Sequence, residues 1–140
     1  MTVRTWLEEL APAECELLLA TALEGRVGVF VDGRPEIFPV NHVYDDRTGT
    51  VVFPSNEGTK LWGAMHWPWT SLEVDGIDVD GRSGWSVLVV GHAEEVTDPD
   101  DIRRVAGMRR VLWAIGPSTR WLRIVPGRVS GRRIRAVSSP

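Results

Sequence analysis

Two apolar runs meet at Asp32-Gly33, and that pair constrains the fold more than any other residues in the chain. From Arg26 to Val31 the pattern alternates, with Val27, Val29 and Val31 on one face. Asp-Gly between two such runs is a hairpin turn sequence, because its residues tolerate the positive φ that a tight turn demands. Pro35 to Tyr44 forms the returning strand. Pro39 carries no N–H, so this strand belongs at a sheet edge or holds a bulge. Asp45 to Gly49 turns the chain again into a third strand, Thr50 to Phe53. Gly58-Thr59-Lys60-Leu61 then opens a short helix that runs to about Met65. This order sets a β-surface beside a corner suited to an anion. A helix start offers unpaired backbone N–H groups and partial positive charge. Thr59 adds a hydroxyl, Lys60 adds a full charge, and Gly58 lets the backbone approach closely. Taken alone, the same residues also read as an ordinary helix start with a solvated lysine.

The rest of the chain reads as short strands with helical additions. Pro12 to Leu23 is predicted helical, with Leu17, Leu18, Ala20 and Leu23 as its apolar stripe, and Gly25 ends it. Thr70 to Val74 is a fourth strand, Asp78 to Gly84 a turn, and Trp85 to Val96 a long fifth strand. Asp98-Pro99 starts a helix with Asp as cap and Pro in the first turn. That helix places Ile102, Val105, Ala106 and Leu112 inward and Arg103, Arg104 and Arg110 outward, and Gly116-Pro117 stops it. Trp121 to Val125 is the sixth strand, and Arg128 to Arg135 reads as a solvated strand and tail. The pattern specifies a mainly β chain with helices, a small β-barrel of the α+β class, with residues 1–140 as one domain.

Composition narrows the function. The net charge of -3 argues against wholesale binding of a nucleic-acid backbone. A single cysteine, Cys15, excludes an internal disulfide and any multi-cysteine metal site, and its place in an amphipathic helix reads as a buried, inert thiol. No apolar run is long enough to span a bilayer and no leader pattern opens the chain, so a cytoplasmic location is expected. His42, His66 and His92 lack the close pairing of a zinc helix. His92-Ala93-Glu94 matches half of a zinc deaminase signature without its cysteine pair. No serine elbow and no long phosphate loop occur.

An ordered set of motifs resembles the flavin-binding split-barrel proteins related to pyridoxamine 5′-phosphate oxidase, in particular the small actinobacterial-type members. The set is Gly25-Arg26-Val27-Gly28, Pro39-Val40-Asn41-His42, Gly58-Thr59-Lys60-Leu61, Glu73-Val74-Asp75, Gly84-Trp85-Ser86-Val87-Leu88-Val89 and Trp121-Leu122-Arg123-Ile124. It spans Leu17 to about Ile134. The resemblance implies a homodimeric, six-stranded split barrel with a flavin or deazaflavin at the subunit interface, and an oxidoreductase acting on a small conjugated molecule. Flavin mononucleotide (FMN) leads, with a deazaflavin coenzyme as alternative. The implied tail contacts are Ser55, Gly58, Thr59 and Lys60. The implied ring contacts are the Val40-Asn41 backbone and Trp85 near the dimer interface.

One position departs from that family. Members that bind FMN usually carry an arginine after the third strand, followed by serine or threonine, and here Pro54 and Ser55 stand there. Proline supplies neither a charge nor an N–H. A dimeric carrier or sensor of a flavin-like ligand or haem is therefore the rival class. Asn41 has two readings, as a contact to the ring edge or as a pin for a bulge made by Pro39. His42 is expected to be a partly exposed strand residue. Trp62, Trp67 and Trp69 either cover the pocket mouth or fill the barrel end.

Overall fold

The computed structural model describes residues 3–67, 69–108 and 116–138. Its elements are β1 (Val3–Glu9), α1 (Pro12–Thr21), β2 (Gly25–Val31), β3 (Arg34–Val40), β4 (Val43–Asp45), β5 (Thr50–Asn56), α2 (Lys60–Ala64), β6 (Thr70–Asp78), β7 (Ser83–Val96), α3 (Pro99–Gly107) and β8 (Thr119–Ser138). The strands form one antiparallel sheet in the order β3-β2-β6-β7-β8-β5-β4, with β1 added to β8. The sheet curls into a split barrel. Eight strands replace the six expected: the second strand breaks at Asn41-His42, and β1 adds an edge.

The Asp32-Gly33 turn forms as its chemistry requires, with φ of 52° and 76°. It pairs Val31 with Arg34 and fixes the register back to Gly25 with Val40. In a hairpin closed by two residues, hydrogen-bonded and open pairs alternate from the turn. Pro35 and Pro39 fall in the open pairs, opposite Phe30 and Arg26. Their nitrogens therefore face away from β2, and β3 is the edge strand that Pro39 foretold.

Alternation along the strands builds the interior. Val27, Val29, Val51, Phe53, Leu72, Val74, Val87, Val89, Leu122 and Ile124 form the barrel core, joined by Cys15 and Leu19 of α1 and by Leu61 and Ala64 of α2. The helical stripe of α1 differs from the expected one. Cys15 and Leu19 are buried, whereas Leu17 and Leu23 are 61% and 50% exposed. The sheet selects that face because Gly131 leaves room for Cys15, whose Sγ would lie 2.6 Å from a Cβ there. Burial also pushes the Cys15 thiol up from its ordinary pKa, in keeping with an inert thiol.

A second, smaller cluster of Val43, Val52, Val96, Val105 and Trp121 seats α3 on the outer face of β4, β5 and β8. Asp98 caps α3 by accepting from the Asp100 N–H at 2.8 Å. Arg104 is not directed outward as expected. Its guanidinium pairs with the buried carboxylate of Asp45, donating from Nη2 to Oδ2 at 2.9 Å, and also reaches Asp101. A helical pattern alone places arginine outside; a buried carboxylate on β4 reverses that choice. The expectations for Arg110 and Leu112 lie outside the described residues.

The strand expected to stop at Val125 continues to Ser138 and pairs with β7 from Trp121 to Arg135. Pro126-Gly127 makes a bulge there: Gly91 pairs with Pro126 while Val90 pairs with Arg128. The basic segment from Arg128 to Arg135 is thus a sheet strand, and Arg133 and Arg135 form ion pairs with Glu8 on β1. Among the described residues no helix is long and apolar enough to cross a membrane.

Candidate functional site in the split of the barrel

The barrel stays open between β3 and β5. β3 pairs with β2 alone, and β5 beyond Val52 pairs with β8 alone. Both borders carry a proline, Pro39 and Pro54, which removes two N–H groups that could have closed the gap. Pro54 sits inside β5, opposite Trp121, and not after a strand end. α2 packs beneath the gap through Leu61 and Ala64. The result is a groove of about 370 Å³, lined by Phe38, Pro39, Val40, Asn41, Pro54, Ser55, Asn56, Thr59, Lys60 and Leu61. That volume falls in the range of small-molecule sites.

The structure therefore brings Val40, Asn41, Ser55, Thr59 and Lys60 around one groove. Gly58 adjoins them with φ of 85°, a left-handed conformation that favours glycine. Trp85 does not join them. It lies across its cross-strand neighbour Gly76, where a Cβ would meet the indole at 2.6 Å. It lines a separate groove with Glu73, Asp75, Ile77, Arg132 and Ile134. The three clustered tryptophans also lie elsewhere. Trp62 packs against the core, Trp67 pairs with Phe30 at 6.4 Å between ring centroids, and Trp69 lines an apolar groove beside Ile37.

Within the groove, charge and donors are distributed differently from the expectation. The Thr59 hydroxyl donates to the Asn56 carbonyl at 2.8 Å and accepts from the Trp62 N–H at 3.2 Å. It caps the helix, so its proton is not available to a ligand. α2 has five residues, too few for a substantial macrodipole. Lys60 is the exposed cation of the groove lining.

The Asn41 side chain is a structural pin, though not one at a bulge. Its Nδ2 donates to the Leu23 carbonyl at 2.7 Å, tying the β3–β4 link to the segment after α1. His42 is corrected outright: it is 4% exposed and its Nε2–H donates to the Leu19 carbonyl at 3.0 Å. The ring is packed over Gly25, where a Cβ would lie 3.2 Å from Nδ1, and among the described residues Nδ1 has no hydrogen-bond partner. Hydropathy could not show this, because a histidine in Asn41-His42-Val43-Tyr44 reads equally well at the surface.

Burial pushes the His42 pKa down from 6.5, and the bond to Leu19 only partly offsets it. The folded chain then holds His42 neutral while the unfolded chain takes up a proton below about pH 6.5. Stability present above that pH is lost as the pH falls toward the lower folded value. Urea unfolding from about pH 7 to about pH 5 should show this loss, and His42→Gln should reduce the slope. An equal slope in both proteins would contradict the assignment.

Residues 11–133 match the family described as pyridoxamine 5′-phosphate oxidase. The chain belongs to that family. Protein Rv0080 of Mycobacterium tuberculosis is 34% identical over 137 residues, covering 93% of this chain and 87% of that protein. The solved FAD binding protein from Mycobacterium smegmatis shares 36% identity with a TM-score of 0.80, over 91% of this chain and 98% of that one. A FAD-binding protein from Mesorhizobium loti shares 28% identity with a TM-score of 0.70, over 95% of this chain and 99% of that one. The fold of this pyridoxamine 5′-phosphate oxidase family member is thus a flavin-binding fold. Its groove is lined by Pro54, Ser55 and Lys60 among others, with Lys60 as the one cation of that lining. Among the described residues that line the groove none is a histidine.

Proposed function

We propose that the protein is a flavin-dependent oxidoreductase acting on a small conjugated molecule, with the flavin tail held in the split between β3 and β5. The groove that gathers Val40, Asn41, Ser55 and Lys60 carries this reading. Lys60 binds the phosphate by charge, and Ser55, 7% exposed at the groove wall, offers a hydroxyl. Because Asn41 spends its Nδ2 on Leu23, the contact to the ring edge falls to the backbone of the Val40-Asn41 link. A bound flavin supplies the hydride or electron chemistry, and the chain orients it and tunes its potential.

In this reading the flavin is FAD in place of FMN, the leading expectation. The relatives from M. smegmatis and M. loti are FAD-binding proteins by name, and that supports FAD here. A groove of about 370 Å³ holds only part of such a molecule. The remainder calls for a second copy of the chain, so a homodimer is part of the proposal, and light scattering should report twice the 15.6 kDa chain mass.

The visible spectrum of the purified protein, or of the protein reconstituted with FAD, should show a flavin band. Lys60→Ala should weaken the FAD affinity about tenfold, the usual worth of one charge-assisted contact. An unchanged affinity removes Lys60 from the site, and a protein that takes neither FAD, FMN nor a deazaflavin refutes the proposal.

A further inference from the structure

Lys60 is the one cation among the residues lining the groove, and the register of the sheet sets an arginine beside its lining residue Ser55. Ser55 pairs directly with Arg120 across β5 and β8. Directly opposed residues of an antiparallel pair project from the same face. On that face the preceding pairs, Phe53 with Leu122 and Val51 with Ile124, are core residues of the barrel interior. Ser55 and Arg120 are therefore the next pair outward, where the interior opens at the groove.

The backbone under Arg120 is fixed to the groove lining. Thr119 donates its hydroxyl to Asn56 Oδ1 at 2.9 Å and accepts from the Gly116 N–H at 2.9 Å, and the Glu57 N–H donates to the Ser118 carbonyl at 2.9 Å. The head group is not fixed in the same way. Its partner is Glu57, at 3.5 Å, with the two side chains 50% and 54% exposed. A long, solvated pair of this kind contributes little to stability, so the guanidinium can leave it at small cost.

We infer that Arg120 is the second cation of the groove, parked on Glu57 and transferred to the ligand's diphosphate when it binds. This rests on the flavin reading above. Arg120 then supplies from β8 the bidentate grip that Pro54 cannot supply from β5. Glu57 is a competitor for the same guanidinium, which sets the two residues in opposition: one favours binding, the other restrains it.

That opposition gives the test. FAD binding to the full-length protein is followed by quenching of flavin fluorescence, with FMN run in parallel and melting temperatures recorded for each variant. Arg120→Gln should weaken FAD about tenfold and flatten the salt dependence, whereas Glu57→Gln should tighten FAD a few-fold. The double variant should match Arg120→Gln. If wild type binds FAD and Arg120→Gln binds it equally well, the inference is overturned and the groove reading stands. If both single variants weaken binding alike, the pair is a structural brace and the inference is again overturned. If wild type binds neither flavin, the groove reading falls and the inference falls with it.

Discussion

Replacing Gly91 with alanine is expected to destabilise the protein by about 1–3 kcal/mol or more, the range for forcing atoms into a filled interior. A Cβ at this position would lie 2.0 Å from the Val125 oxygen, 2.8 Å from its carbonyl carbon and 3.1 Å from Pro126 Cα. All three are backbone atoms, so no rotamer change relieves the clash. The bulge that inserts Gly127 between the partners of Val90 and Gly91 would have to flatten, and β7 with β8 is the longest ladder in the sheet. Gly107→Ala is the control, since among the described residues no atom beyond its chain neighbours and its own helix backbone lies within 4 Å of a Cβ there. Urea unfolding of both variants decides: equal midpoints would mean that the bulge does not need glycine.

Asp45→Ala is expected to cost about 2–3 kcal/mol, because a buried carboxylate that receives several donors leaves them unpaired when removed. Asp45 is 2% exposed. It accepts from Thr48 Oγ1 at 2.8 Å, from the Arg47 N–H at 3.2 Å and from Arg104. Burial alone would raise its pKa; the bonds from Arg104 and Thr48 outweigh that and hold it below 3.8. Its contribution is therefore complete above about pH 4 and lost as the pH falls through the lower folded value. Arg103→Ala, which breaks an exposed pair with Asp100, should change the melting temperature little by comparison. Similar losses in the two variants would show that the tie between β4 and α3 carries no special weight.

How far these features could be read from the residues depends on whether their causes are local. Asp32-Gly33, Asp98-Pro99 and Gly58-Thr59 carry their own geometry, and each structure forms where the sequence places it. β1 carries no local signal, because an edge strand with Trp6 and Leu7 63% and 59% exposed has no single apolar face to alternate against. Pro126-Gly127 looked like a strand end, since nothing nearby in sequence announces that Gly91 will accommodate it across the ladder. Arg104, His42 and the true face of α1 failed for one reason: each is decided by a partner far along the chain, at Asp45, Leu19 or Gly131. The candidate site divides in the same way. The residues near Lys60 were legible as a motif, whereas Arg120 becomes visible only once β8 is laid beside β5.

In the proposed function the split between β3 and β5 seats a flavin. Mapping backbone amide chemical shifts of the isotope-labelled protein during FAD titration tests it most directly. Saturable shifts should cluster at Val40, Asn41, Ser55, Asn56, Lys60 and Leu61, with Ile77 and the rest of the Trp85 groove responding only where a second copy contributes. Binding that leaves the Ser55 and Lys60 amides unmoved, with its shifts gathered on another face, would contradict the account.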